Sequence, residues 1–351
     1  MPSMISHMLL GQRILAHPPS AMQRPETDRI AFLWGSQGPD ILFRHRLLPW
    51  QKGSLRSFGG KLHAADPTAL FQSVAKVCRY CRGKPDFPQI YSYALGFCCH
   101  YCYDRRTHPL VYYNIELMEK TDERGQGYNY HAEIESNLDI MLLRHETGRL
   151  MQDFRLTDCL PEENGLDDSI ALFYALLLCD LFGIHTPRWQ SATLGEDFRM
   201  WTALLDDAHA VKKPLARTAE RLLPHVPLIR GRFSRGSLVG NIHGRVAETG
   251  FDYGNLLGNT WFNPDNRSER SHFNFYELTD IAETETRQLI GLLAEETEKR
   301  GSVDFADFTE GLDFSGRRHC ADMGKYSRPF PYEFMSADTA VKTEDGDRRD
   351  P

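Results

Sequence analysis

The sequence predicts an all-α protein with one domain. Apolar residues recur with helical periodicity in many segments, whereas few runs show the alternation of apolar and polar residues that is typical of β-strands. The chain has no internal repeat and no convincing linker, which favours one domain. We therefore expect a compact bundle of several helices.

The predicted helices follow one another along the chain. The segments with helical periodicity are residues 4–16, 67–82, 89–107, 128–147, 167–183 and 275–300. Residues 47–66 are rich in Gly, and residues 225–270, rich in Gly, Asn and Arg, are predicted to be loop-like.

Two further features are predicted from proline and glycine. The apolar segment 30–42 runs into a stretch of Gly and Pro, so Asp40 should lie at a turn or at a helix start. The helical region 196–223 should break at Pro214, because proline removes a helical hydrogen bond and clashes with the preceding turn.

Composition and charge limit the class of protein. The net charge of −7 argues mildly against a non-specific grip on nucleic acid, which usually needs a basic surface. The longest apolar run, residues 170–182, is too short to span a bilayer and contains Asp180, so it predicts a buried core helix. With no signal-peptide pattern, the eight cysteines should be reduced thiols, and we expect a cytoplasmic protein without a transmembrane segment.

The stretch CCHYCYDRRTHP carries the strongest functional pattern, with His100, Asp104 and His108 at i, i+4 and i+8. On an α-helix each step of four residues drifts by only about 40°, so the three side chains share one face. The two histidines lie roughly 12 Å apart along the axis, too far to share one ion. The spacing suits a carboxylate that bridges two metals or stands between them, although histidines that merely pack remain the alternative. Pro109 follows, where a helix commonly stops or bends.

Other residues of metal-ligand type accompany this stretch. His131 and Glu135 are i, i+4 and can reach one ion from a single helix face. His7 lies on the first predicted helix, Asp40 lies in the sequence GPDILF, and His63 lies in the Gly-rich segment. Nitrogen and carboxylate ligands without thiolate suit catalytic zinc better than a closed structural site.

The combination of an early His, GPD, a further His, HxxxDxxxHP and HxxxE resembles the zinc-dependent phospholipase C family. That family is related in fold to secreted trinuclear-zinc phospholipases C and to fungal single-strand nucleases. The matching motifs cover roughly residues 1–145, with a weaker echo at residues 261–282. The resemblance implies a helical domain over residues 1–320, built around a metal cluster. Residues 337–351 are polar and should form a disordered tail.

The resemblance also implies up to three zinc ions. Their ligands would be Asp40, His63 and His100 for one ion, His7 with the bridging Asp104 for the second, and His108, His131 and Glu135 for the third. Two departures stand out. The spacing from Asp104 to His108 is shorter than in the secreted enzymes, which leaves the position of the third ion open. Those enzymes also use an N-terminal tryptophan amine, and here the amine of Pro2, after loss of Met1, is the hypothetical replacement.

The implied activity is metal-dependent hydrolysis of a phosphodiester, of phospholipase C type. A zinc-activated hydroxide would attack the phosphorus of a phospholipid or a related small phosphoester. Asp40 and Asp104 are the candidate catalytic carboxylates, although a carboxylate committed to metal accepts protons poorly. A nuclease or nucleotidase on the same cluster and a non-catalytic zinc-stabilised binding protein are the alternatives. No stable complex with nucleic acid is expected, while transient contact with a membrane surface is compatible with a lipid substrate.

A second zinc pattern competes with the first. The pairs Cys78-x-x-Cys81 and Cys99-x-x-Cys102 are separated by 17 residues, which fits a four-cysteine zinc template. Both pairs lie inside helical apolar patterns and not on tight turns. We therefore favour buried, reduced thiols that pack as small apolar residues.

Overall fold

The computed structural model describes residues 3–48, 50–124, 128–206, 212–222 and 237–318. Its α-helices are α1 (Met4–Ala16), α2 (Arg29–Gly35), α3 (Arg56–His63), α4 (Pro67–Cys81), α5 (Phe87–Thr121), α6 (Tyr130–Thr147), α7 (Leu166–Phe182), α8 (Arg188–Ser191), α9 (Leu194–Leu205), α10 (Lys212–Leu222), α11 (Ser237–Gly240), α12 (Phe275–Glu298) and α13 (Ala306–Thr309). Short 3-10 helices occupy Ser20–Met22, Gly38–Arg44, Met151–Asp153 and Leu156–Cys159. Strands β1 (Trp261–Asn263) and β2 (Asn266–Ser271) form one antiparallel hairpin. This architecture confirms the all-α prediction.

The central element is α5, a helix of 35 residues that packs against α2, α12, α6 and the hairpin. The helix does not stop at Pro109, as the sequence allowed, because it continues to Thr121. Pro109 is buried, and Leu110 and Val111 behind it enter the core. Burial of these turns offsets the hydrogen bond that the proline removes.

Two glycines allow α2 and α5 to touch backbone to backbone. A Cβ on Gly35 would overlap the carbonyl oxygen of Tyr93, and a Cβ on Gly96 would overlap that of Phe32. The residues after α2 are therefore held directly against α5. This contact places the Gly38–Arg44 helix, which carries Asp40, beside the middle of α5.

Several local predictions need correction. Pro214 does not break a helix, since it lies in the first turn of α10, where the N–H that proline lacks would have no partner within the helix. The chain leaves helical structure after Leu205 instead. The segment predicted as a loop at 225–270 contains α11, β1 and most of β2, and the Gly-rich segment 47–66, for which the sequence predicts no element, contains α3. Short elements of this kind carry little periodic signal, because tertiary packing stabilises them.

The described residues bury one large apolar core that joins elements from Met4 to Phe314. Helix α7 lies inside it, which confirms the predicted core helix at residues 170–182. None of the described helices combines the length and the apolar character needed to cross a membrane. The domain boundaries stay predictions, and the proposed tail at 337–351 lies outside the described residues.

Candidate metal centre

The eight predicted ligands come from separate segments and meet around the middle of α5. They are His7 on α1, Asp40 on the Gly38–Arg44 helix, His63 at the end of α3, His100, Asp104 and His108 on α5, and His131 and Glu135 on α6. In the described part of the chain they form three groups whose ligand atoms lie within 4.8 Å of one another. These groups are His7, His100 and Asp104; Asp40, His63 and His100; and His108, His131 and Glu135. No group contains both His100 and His108, in agreement with the helical spacing.

Backbone carbonyls orient the two histidines of the Asp40 group. The Nδ1 atom of His63 lies 2.8 Å from the carbonyl oxygen of Gly59, and that of His100 lies 3.2 Å from the carbonyl oxygen of Ser36. Because a carbonyl only accepts hydrogen bonds, both Nδ1 atoms carry protons. The two Nε2 atoms, 3.4 Å apart, therefore face each other as lone pairs in the neutral rings. Two facing lone pairs repel each other unless a metal ion or a proton lies between them.

Two carboxylates converge on the same point. Asp40 Oδ1 lies 3.2 Å from His63 Nε2 and 3.8 Å from His100 Nε2. Asp104 Oδ2 lies 3.6 and 3.2 Å from the same two nitrogens. Two ligands of a tetrahedral zinc ion, with bonds of about 2.1 Å, are themselves roughly 3.4 Å apart. The spacing of these four side chains therefore fits a zinc ion.

Asp104 faces more than one group. While its Oδ2 atom belongs to the point just described, its Oδ1 atom lies 3.3 Å from His7 Nε2. This geometry is the one that a bridging carboxylate requires. The resemblance implies that His100 binds only the ion of Asp40 and His63. In the structure His100 belongs to that group and also to the group of His7 and Asp104.

His7 is buried, and no hydrogen bond to the described residues orients its ring. Its side chain is 1% exposed, and neither ring nitrogen makes a hydrogen bond to any residue that the structure describes. Its ring stacks on His100 at 4.1 Å and meets the edge of Tyr103 at 5.0 Å. A buried imidazole without a hydrogen bond is costly, and a metal ligand role removes that cost. The predicted amine of Pro2 lies outside the described residues.

The third group is more open to solvent. His108 Nδ1 donates to the carbonyl oxygen of Phe314 at 2.7 Å, so its Nε2 atom, 3.4 Å from Glu135 Oε1, is the ring atom that can bind a metal ion. His131 Nε2 lies 3.0 Å from the same oxygen, and its side chain is 30% exposed. The ring of Tyr112 stacks on His108 and meets the edge of His131. This group can therefore be reached from solvent.

The charges of the centre depend on one another. Burial opposes ionisation of Asp104, but the charges of His100, His108 and His7 hold the pKa of that carboxyl well below its usual range. Burial also opposes a charge on His63, yet its hydrogen bonds to Asp104 and Asp40 raise the pKa of His63 to about 10. A proton on His63 therefore balances part of the charge of the two carboxylates, and a metal ion would have to displace that proton in order to bind.

The competing cysteine site is not favoured. No cysteine belongs to the three ligand groups found among the described residues. All four thiols of the two pairs are buried in α4 and α5. Burial raises the pKa of Cys81 to about 11 and that of Cys102 to about 12, which keeps these thiols protonated. Packing as small apolar side chains is the interpretation that fits.

Some residues of the centre have no signal in the sequence. Phe314, more than 200 positions from its partner, supplies the carbonyl that orients His108. Its ring also packs at 4.9 Å from His63 and 5.7 Å from His100. The carbonyls of Ser36 and Gly59 belong to the backbone, so residue type could not reveal them. Only the folded chain identifies these contacts.

Comparison with known proteins gives one family. A family model described as zinc dependent phospholipase C matches residues 6–187, which is just over half of the chain. That range includes all eight predicted ligands. No curated protein and no solved structure matches the chain.

Proposed function

The chain belongs to the zinc-dependent phospholipase C family, and we propose that it is a zinc-dependent phosphoric diester hydrolase that cleaves a phospholipid or a related small phosphoester. The observation that supports the proposal most strongly is the convergence of the Nε2 atoms of His63 and His100 with the carboxylates of Asp40 and Asp104. This set of donors has the atoms and the spacing of a zinc site.

We propose up to three ions, one for each ligand group. The group of His7 and the group of Asp40 have His100 in common, and Asp104 would bridge them because its Oδ2 atom also lies near His63 and His100. The third group stands apart on α6 and the later turns of α5. Zinc in such sites polarises phosphoryl oxygens and lowers the pKa of water toward about 7.

The protein's own residues would hold and orient this chemistry. Asp40 and Asp104 each lie within 4 Å of at least two imidazole nitrogens, so both are engaged as ligands and neither is assigned the role of general base. His7 and His100 are sealed from solvent, whereas His63 and His131 are partly exposed. A substrate phosphoryl group would therefore approach from the side of His63 and His131.

The test combines metal content with substrate choice. Purified protein is analysed for zinc, then assayed on phosphatidylcholine vesicles, a small chromogenic phosphodiester and a single-stranded oligonucleotide, before and after chelation. We expect bound zinc and hydrolysis of the lipid to diacylglycerol and a phosphomonoester. Chelation should abolish the activity, and added zinc should restore it.

Three outcomes would change the proposal. Hydrolysis of the oligonucleotide alone would identify the nuclease alternative. Bound zinc without hydrolysis of any substrate would favour a non-catalytic binding protein. A protein that binds no zinc would exclude the hydrolase and both alternatives. The cytoplasmic location stays a prediction, and fractionation of the cell tests it.

A further inference from the structure

A buried carboxylate outside the ligand set lies next to the metal centre. Asp139 is on α6, one helical turn beyond Glu135, and is fully buried. Its Oδ1 atom accepts hydrogen bonds from Ser6 N at 2.8 Å and from Ser6 Oγ at 2.6 Å. Its Oδ2 atom accepts from Ile5 N at 3.2 Å and from His243 Nε2 at 2.9 Å. Four donors from two distant segments thus meet on one side chain.

These contacts cap a helix from outside it. Helix α1 begins at Met4, and its N-cap residue Ser3 makes no side-chain cap hydrogen bond. The first N–H groups of a helix have no partner within the helix and favour a negative charge nearby. Asp139 bonds two of these groups, at Ile5 and Ser6. It supplies from α6 the cap that a local side chain normally provides.

The capped turn carries a ligand of the centre. His7 directly follows Ser6, is 1% exposed and lies 3.3 Å from Asp104. Asp139 therefore ties the start of α1 to α6, whose earlier turns carry His131 and Glu135. The ring of His7 makes no hydrogen bond to the described residues and is held by its packing on His100 and Tyr103, so its place also depends on where the backbone of this turn is held.

His243 completes the arrangement. It is 2% exposed and donates through Nε2 to Asp139, because a carboxylate accepts and does not donate. This bond uses one lone pair of Oδ2 and orients the carboxyl group toward α1. Sequence spacing alone offers no reason to pair His243 with any ligand.

We propose that Asp139, oriented by His243, is a positioning residue that sets the first turn of α1 and so the place of His7 in the zinc centre. The inference deepens the proposed function, since it concerns the same centre. Contacts behind metal ligands typically change metal affinity by about 10- to 100-fold when they are lost.

The first test is Asp139→Asn. An amide has one acceptor oxygen, so part of the four hydrogen bonds must be lost while the size is kept. In competition with a zinc chelator, we expect the affinity for one ion to fall about 10- to 100-fold and the others to hold. Amide exchange at Ile5, Ser6 and His7 should become faster in the zinc-free protein. Asp180→Asn is the matched control, because Asp180 is also buried but lies on α7 and bonds Ser73 and Lys76 of α4.

The second test varies His243, in case Asp139→Asn does not fold. His243→Gln keeps a donor toward Asp139, whereas His243→Ala removes it. We expect zinc affinity to be near wild type for His243→Gln and lowered for His243→Ala. Wild-type zinc affinities in both Asp139→Asn and His243→Ala would refute the inference, as would an equal loss in Asp180→Asn. These measurements use no substrate, so a protein that binds zinc and hydrolyses nothing would refute only the proposed hydrolase.

Discussion

Asp104→Asn is the change that tests the centre most directly. Asp104 lies within 4 Å of four imidazoles, at 3.3 Å from His7, 3.2 Å from His100, 3.6 Å from His63 and 3.8 Å from His108. Asparagine keeps the size of the side chain and one oxygen that can ligate. The substitution therefore removes mainly the negative charge.

The expected loss follows from that charge. Two unit charges 4 Å apart interact by about 4 kcal/mol at an effective dielectric constant of about 20, which is a lower bound for a carboxylate beside a divalent ion. Since each 1.4 kcal/mol is tenfold, zinc affinity should fall by at least about a thousand-fold for an ion that Asp104 contacts. If Asp104 bridges two ions, both affinities should fall, and hydrolysis should be lost with them.

The assay is zinc binding in competition with a chelator, measured beside elemental analysis and phosphodiester hydrolysis. Asp180→Asn controls for the loss of a buried carboxylate at a distance, and thermal unfolding of the zinc-free proteins reports on the fold. Retention of every zinc ion at wild-type affinity in Asp104→Asn would refute the role of Asp104 as a shared ligand. Loss of a single ion would restrict it to one group.

Three further predictions test the surroundings of the centre. Gly38→Ala should destabilise the protein by about 2–5 kcal/mol in chemical unfolding and weaken zinc binding, since Gly38 has φ 52° and a Cβ there would overlap the His100 ring. The control Gly83→Ala should cost only about 1–2 kcal/mol, because Gly83 has φ 79° but open space around it. Burial lowers the pKa of His45 to about 4, below the usual value of about 6.5 for the unfolded chain. The stability that neutral His45 contributes is therefore complete above about pH 6.5 and is lost as the pH falls toward 4. In zinc-free protein, His45→Gln should make the fall in unfolding free energy across that window smaller by about 3 kcal/mol. Cys78→Ser should leave the zinc content, measured by elemental analysis, unchanged. Loss of one ion would instead support the four-cysteine zinc site.

Controls separate these effects from general damage. Equal costs for the two glycine substitutions would mean that the overlap with His100 relaxes freely. A pH dependence unchanged in His45→Gln would assign the acid sensitivity to other groups.

The pattern within single helices was predictable from the sequence. Residues four positions apart on a helix share a face whatever the rest of the chain does, so His100, Asp104 and His108 could be aligned in advance. The same holds for His131 and Glu135. The all-α class follows from periodicity for the same reason.

Proline positions were less predictable. Pro109 breaks a local rule, because the cost of one missing hydrogen bond is offset by core contacts of the turns beyond it. Pro214 obeys a local rule, but its place in the first turn depends on where α10 begins. Neither outcome could be read from the residues alone.

The sequence by itself determined the helical class and the kinds of atom that the centre offers. Only the tertiary structure decided that His100 lies in two ligand groups, that Phe314 orients His108, and that Asp139 caps α1. The physical reason is that spacing along a helix is set by the covalent chain, whereas contacts between distant segments are set by how the whole core packs. The backbone contact of Gly35 with Tyr93, which brings Asp40 to α5, is of the second kind.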